Sequence, residues 1–262
     1  MKFLHKYGKT AAMAATSYTG DSPLFLIDYL VRFLRVAVLL TIWRVILAHK
    51  APGDGMTLAS VLTYTLVAEV FGAQLAPRTG LDWALWQGTI VGRMLQPLGM
   101  FGQFSAEAAG RWFFEFGAFS IPLLLLAPVL GVNPLPASGH AAGLFSLSLV
   151  LAISVGLALE FIFGALLVLW ALPLWAVYQI RNAVTMLLSG ALLPLALLPP
   201  AVGALFSWLP FASMASAPLQ IYVGKGDTGM LLALQVAWSL ALWPLAQWLW
   251  HIGRERMVSY GG

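Results

Sequence analysis

"SGALLPLALLPP", Ser189–Pro200, places three prolines in a stretch apolar enough for a bilayer, and "WLPFASMASAPLQIYVG", Trp208–Gly224, adds two more. Proline in a helix interior costs about 3 kcal/mol relative to alanine. Pro194, Pro199, Pro200, Pro210 and Pro218 therefore do not fit regular spanning helices. Irregular backbone at membrane depth is tolerated only where protein or water covers it. The predicted path climbs through Val184–Leu198 and breaks at Pro199–Pro200. It then dips back as a short re-entrant helical pair within 199–229, with Lys225, Gly226 and Asp227 at the polar turn before a last span. Ala212, Ser213, Ala215, Ser216 and Ala217 are small enough for close packing there. The alternative is a kinked helix followed by a loop.

Working outward, the whole chain has the composition this segment requires. Of its 262 residues, 60% are hydrophobic and 9% charged, against about 25% charged in a soluble domain. Mean hydropathy is +0.86. A bilayer core about 30 Å thick needs about 20 mostly apolar residues per helix. Stretches of that kind fall at Leu24–Leu47, Leu58–Ala76, Trp112–Leu130, Leu144–Leu172, Val184–Leu205 and Met230–Trp250. The expected fold is one all-α integral membrane domain over 1–262, with six transmembrane helices. The first span is the least apolar, since Asp28, Arg32, Arg35 and Arg44 lie inside it. Asp28 and Arg32 are four apart and can pair on one helix face, while Arg32 and Arg35 can snorkel toward the headgroups.

Orientation follows from where Lys and Arg collect. Six spans put both ends on one side, with Lys2, Lys6, Lys9, Arg32, Arg35, Arg78, Arg93, Arg111, Arg181, Arg254 and Arg256. The other side keeps Arg44, Lys50 and Lys225. Both termini are therefore expected in the cytoplasm. Residues 1–23 form a cytoplasmic segment in which Phe3, Leu4, Tyr7, Ala11 and Ala14 recur at helical spacing opposite the lysines. They read as an interfacial helix, or else as a frayed tail. The segment lacks the apolar core of a secretory signal.

Several chemistries drop out. The net charge of +4 is dispersed, so no nucleic-acid partner is expected. With no cysteine there is neither a disulfide nor a thiolate. His5, His49, His140 and His251 lie far apart without helical metal-ligand spacing, so no metal is expected. "YGKT", Tyr7–Thr10, ends like a phosphate loop, but Phe3 stands where the first glycine belongs and no strand precedes it. No catalytic residue and no cofactor bound by this chain are expected.

Three stretches, taken in order, carry a resemblance. Ser189-Gly190, Pro194, Leu198-Pro199, Leu209-Pro210-Phe211, Pro218 and Gly224 resemble the spacing of type-2 ABC exporter permeases. More narrowly, they resemble the bacterial six-span subfamily that includes viologen exporters. "GTIVGRMLQPLGMFGQFSAEAAGR", Gly88–Arg111, is similar to that subfamily's loop between spans two and three, at Gly88, Ile90, Leu95 and Pro97. Gln96 stands where the subfamily often has arginine. "HIGRERMVSYGG", His251–Gly262, resembles its basic tail.

The resemblance implies that the cytoplasmic loop 77–111 carries a coupling helix for a separate ABC ATPase subunit, which binds the ATP and Mg. It also implies a second permease chain, a heterodimer first and a homodimer as the alternative, in the bacterial cytoplasmic (inner) membrane. The residues of the loop are compatible: Ile90, Val91, Met94, Leu95, Leu98, Met100 and Phe101 form an apolar set that needs a cover, either a partner protein or the membrane surface. The expected function is export of an amphipathic or cationic small molecule by alternating access. Pro199, Pro200, Pro210, Phe211 and Pro218 would form an outer gate. The alternatives are an ATP-independent secondary transporter and a non-transporting assembly or immunity subunit.

Glu69, Glu115 and Glu160 are the acids within apolar stretches. A charge at mid-membrane costs about 2.5–3.5 kcal/mol on insertion scales, so such groups face protein or a cavity. Glu69 and Glu160 read either as pathway acids that attract a cation or as structural partners of Arg78, Arg111 or Arg181. "LPLWAVYQIRNA", Leu172–Ala183, reads as a second ATPase contact or a simple connector.

Overall fold

The structure is a computed structural model, describing residues 2–20, 24–48, 56–96, 98–170 and 173–261. Among the described residues there is no strand. The helices are α1 (Lys2–Gly20), α2 (Leu24–Ala48), α3 (Leu58–Val70), α4 (Gly72–Leu75), α5 (Leu81–Trp86), α6 (Ile90–Met94), α7 (Met100–Glu115) and α8 (Ile121–Leu126). They continue as α9 (Gly139–Trp170), α10 (Leu174–Leu188), α11 (Pro200–Ser207), α12 (Pro210–Met214), α13 (Ser216–Tyr222) and α14 (Thr228–Gly261).

Among the described residues, three helical stretches are long and apolar enough to cross a membrane: Met100–Leu126, Gly139–Trp170 and Thr228–Glu255. The protein is thus a multi-pass membrane protein. α2 has 25 residues but carries the four charges named above. α3 has 13 residues and α10 has 15. At 1.5 Å per residue these rise about 20 and 22 Å, short of a hydrocarbon core about 30 Å thick.

The third apolar segment begins earlier than its composition suggests. Met100–Arg111, expected to belong to a loop, is the lower part of the same helical rod that continues to Leu126. Between α7 and α8 the rod widens into a π-helical turn, Phe116–Ser120. Pro122 follows at the start of α8 and has no N–H to offer the preceding turn.

The core lies in two clusters strung along α9. One packs α2, α3 and α8 with α13, including Leu40, Tyr64, Phe119, Phe145 and Leu219. The other packs the loop helices α5–α7 against α9 and α14, including Leu81, Ile90, Phe104, Phe161 and Trp250. Glycines on α9 admit the chain that follows α4. A Cβ on Gly156 would stand 2.5 Å from Pro77, and one on Gly164 would stand 2.5 Å from Leu81.

α1 is helical and lies along α7. Gly102 faces the Tyr7 ring, and a Cβ on Gly110 would fall 2.0 Å from the Ala11 carbonyl oxygen. Tyr7 and Ala11, placed on the apolar face of α1 by their spacing, thus meet protein.

Candidate functional site

The proline-rich segment is broken, and the break starts earlier than predicted. α10 stops at Leu188, so Val184–Leu205 is not one helix interrupted at Pro199–Pro200. The chain turns at Ser189–Gly190, where Gly190 has φ 77°, a conformation that L side chains rarely adopt. Space reinforces the requirement, because a Cβ there would meet Leu195 and Ser216 at 3.0 Å.

The prolines themselves do not interrupt helices. Pro200 and Pro210 open α11 and α12, and Pro218 lies in the first turn of α13. There the missing N–H would have had no helical acceptor. Pro194 and Pro199 precede helical turns. Pro199 and Pro200 are exposed, Pro210 and Phe211 half-buried, and Pro218 buried.

The polar backbone groups freed by these breaks are taken up by other parts of the molecule. Tyr64 Oη donates to the Gly190 carbonyl at 2.8 Å, and Ser216 N–H donates to the Ser189 carbonyl at 2.9 Å. Gln235, fully buried on α14, donates to the carbonyls of Ser213 at 2.8 Å and Ser148 at 3.0 Å. Its own side-chain oxygen accepts from Ser148 Oγ at 2.8 Å. Residues 212–219 are all buried. Protein therefore shelters this irregular backbone, the condition under which such backbone is tolerated at membrane depth.

Glu69, Glu115 and Glu160 each meet an arginine. Glu160 on α9 pairs with Arg181 on α10, and both side chains are buried. It also accepts from Thr79 N–H at 3.0 Å and Thr79 Oγ1 at 3.2 Å. Glu69 pairs with Arg35, and Glu115 with Arg32. The Arg32–Glu115 contact replaces the expected Asp28–Arg32 pair, and Asp28 is exposed. The Arg32 guanidinium also lies 3.9 Å from the centre of the Phe119 ring. Of the partners suggested by sequence, Arg181 is the one that neutralises Glu160. Arg78 instead bonds Tyr178 and Asn182, and Arg111 holds the Arg78 and Thr79 carbonyls.

Glu69 and Glu160 line one cavity of about 420 Å³ between α2, α3, α9 and α10, together with Arg35, Arg78 and Arg181. A wider recess of about 970 Å³ on the far side of Arg78 is walled by Trp83, Trp86, Trp175 and Tyr178.

In the loop, Gly88 has φ 70° with open space around it, so backbone conformation is what demands glycine there. Ile90 is buried in the core and Leu95 is 84% exposed. These two predicted contact residues therefore do not share a surface, and Pro97 lies outside the described residues. Val91, one helical turn before Leu95, is exposed as well, as are Trp83 and Trp86 on α5. Arg93 pairs with Glu107 at 2.6 Å and Gln103 donates to Gln96 at 2.6 Å, fastening the loop to the foot of α7.

The sequence pattern of the ABC-2 family transporter proteins matches residues 33–261. The chain belongs to the ABC-2 transporter family. No curated protein matches the chain. An ABC-2 permease is a membrane subunit that works with separate ABC ATPase subunits. The chain motifs that pointed to this family run through the broken segment, the loop after α5 and the tail of α14.

Tyr64 and Gln235 were not singled out by sequence. A glutamine in an otherwise apolar span is a signal that could have found Gln235, since such a side chain needs partners. Tyr64 carried no comparable signal.

Proposed function

We propose that this chain is the permease subunit of an ATP-driven exporter in the bacterial cytoplasmic membrane, moving an amphipathic small molecule outward by alternating access. Both termini lie in the cytoplasm, and the chain crosses the membrane six times. α2, α3–α4 and the α10–α13 region complete the three long spans, and α11–α13 return from the outer leaflet as a re-entrant unit. A separate ATPase binds the ATP and Mg and pushes on Gly88–Arg111. The broken segment around Pro199, Pro200, Pro210, Phe211 and Pro218 serves as the outer gate.

The observation that carries this reading is the rod Met100–Leu126, whose foot bears the exposed Leu95 edge. A push at that edge is transmitted along one stiff helix rather than absorbed by a loop. The Arg93–Glu107 and Gln96–Gln103 contacts keep edge and rod together.

A second permease chain, a heterodimer first, covers the opening beside Arg35. The Arg35 side chain is 56% exposed on α2, and a guanidinium facing acyl chains is expensive. Protein or a water-filled path must therefore lie against it.

The test is Leu95→Glu in proteoliposomes together with the ATPase that co-purifies with the tagged chain. ATPase stimulation should fall at least about tenfold while membrane insertion stays intact, because a buried unpaired charge costs several kcal/mol at a docking surface. Unchanged stimulation, or no co-purifying ATPase, overturns the reading.

A further inference from the structure

The cavity beside Arg35 holds three guanidiniums and two carboxylates, a surplus of one positive charge. The two acids have no free charge to offer. Both Glu160 oxygens are occupied, one by Arg181 and the other by Thr79. Glu69 is held by Arg35, which stays half-exposed and keeps further N–H groups for another acceptor. Arg78 has no carboxylate partner among the described residues, since its partners are the neutral Tyr178 and Asn182. Away from this end the wall is apolar, with Leu159, Phe163, Met186 and Met214. The volume, about 420 Å³, lies within the range of small-ligand sites, about 300–1,000 Å³.

We infer that this cavity takes the anionic headgroup of an amphiphile, a phosphate, sulfonate or carboxylate on an apolar body, and disfavours a cation. The inference rests on the permease reading and supplies the charge of its cargo. Arg78 and Arg35 meet the headgroup, while the Phe163–Met186 wall takes the first part of the body. An amphiphilic cation would meet two acids already neutralised and an uncompensated guanidinium.

The test uses the full-length chain in dodecyl maltoside micelles, without any ATPase. The probes are NBD-labelled dodecanesulfonate and NBD-labelled dodecyl trimethylammonium, titrated by fluorescence. The sulfonate should bind at least about tenfold tighter than the ammonium, because the surplus charge attracts one headgroup and repels the other. Arg78→Gln brings the cavity's charge to zero, so it should weaken sulfonate binding and remove most of that preference. Glu69→Gln, which doubles the surplus, should tighten sulfonate binding, a change that misfolding does not produce. Equal or tighter binding of the ammonium, or charge variants that leave the preference unmoved, would overturn the inference.

In phosphatidylcholine nanodiscs, displacement of the sulfonate by added phosphatidylglycerol would identify a membrane lipid as the source of the headgroup. Absence of displacement, with binding retained, would assign it to a soluble amphiphile. Binding as expected with no ATPase stimulation would strike the permease reading alone.

Discussion

Replacing Arg181 with methionine strands Glu160 inside the bundle. Arg181 is 10% exposed at its side chain and Glu160 is 3% exposed, so neither can turn to solvent without moving a helix. Removing one member of a buried ion pair costs about 3–5 kcal/mol, because the remaining charge keeps its desolvation penalty. Thr79 still donates two hydrogen bonds to Glu160, which places the expected loss at the lower end, about 3 kcal/mol. The second half of the cycle is the double variant Glu160→Gln with Arg181→Met, which removes both charges and keeps a side chain able to accept from Thr79. It should lie within about 1.5 kcal/mol of the parent. Reversible unfolding in mixed dodecyl sulfate micelles, followed by far-ultraviolet circular dichroism, gives both values. A single variant within 1 kcal/mol of the parent, or a double variant less stable than the single, refutes the assignment of this pair as the lock between α9 and α10.

Gln235→Leu takes the side-chain donor from the Ser213 carbonyl and the acceptor from the Ser148 hydroxyl and should destabilise by about 1–2 kcal/mol in the same assay, while Tyr64→Phe should cost about 1 kcal/mol by freeing the Gly190 carbonyl. If Gln235→Leu is neutral, the Gln235 bonds do not hold the broken segment. Gly110→Val drives a side chain into the Ala11 carbonyl and should separate α1 from α7, read as faster protease cleavage between Thr10 and Gly20 with the bundle's unfolding unchanged. Equal cleavage would mean that the two helices part at no cost.

The membrane class, the helical character of the described residues and a fracture in the proline-rich segment were all legible in the chain. Apolar content, charge density and proline placement act locally and nearly additively, so a window of about 20 residues is enough to read them. The family was legible for a related reason. Its short motifs lie at turns and helix starts, where proline and glycine requirements are written directly into residue type.

The structure corrected details that depend on what lies opposite. The break moved to Ser189–Gly190 because Tyr64, 126 residues distant, is there to donate a hydrogen bond to the loose Gly190 carbonyl. Ile90 and Leu95, neighbours in the loop reading, parted because α6 buries one face and leaves the other open.

The charged residues mark the division most sharply. From sequence, Arg32 had Asp28 four residues away, and Glu69 and Glu160 read either as pathway acids or as structural partners of Arg78, Arg111 or Arg181. In the fold Arg32 reaches Glu115 across 83 residues, and each of the other two acids has an arginine. Hydrophobicity is a property each residue carries with it, and so it declared the lipid environment before any folding was considered. Net charge within a cavity is a sum over side chains from separate helices. Only the packing of α2, α3, α9 and α10 decided which charges cancel and that a positive one is left over.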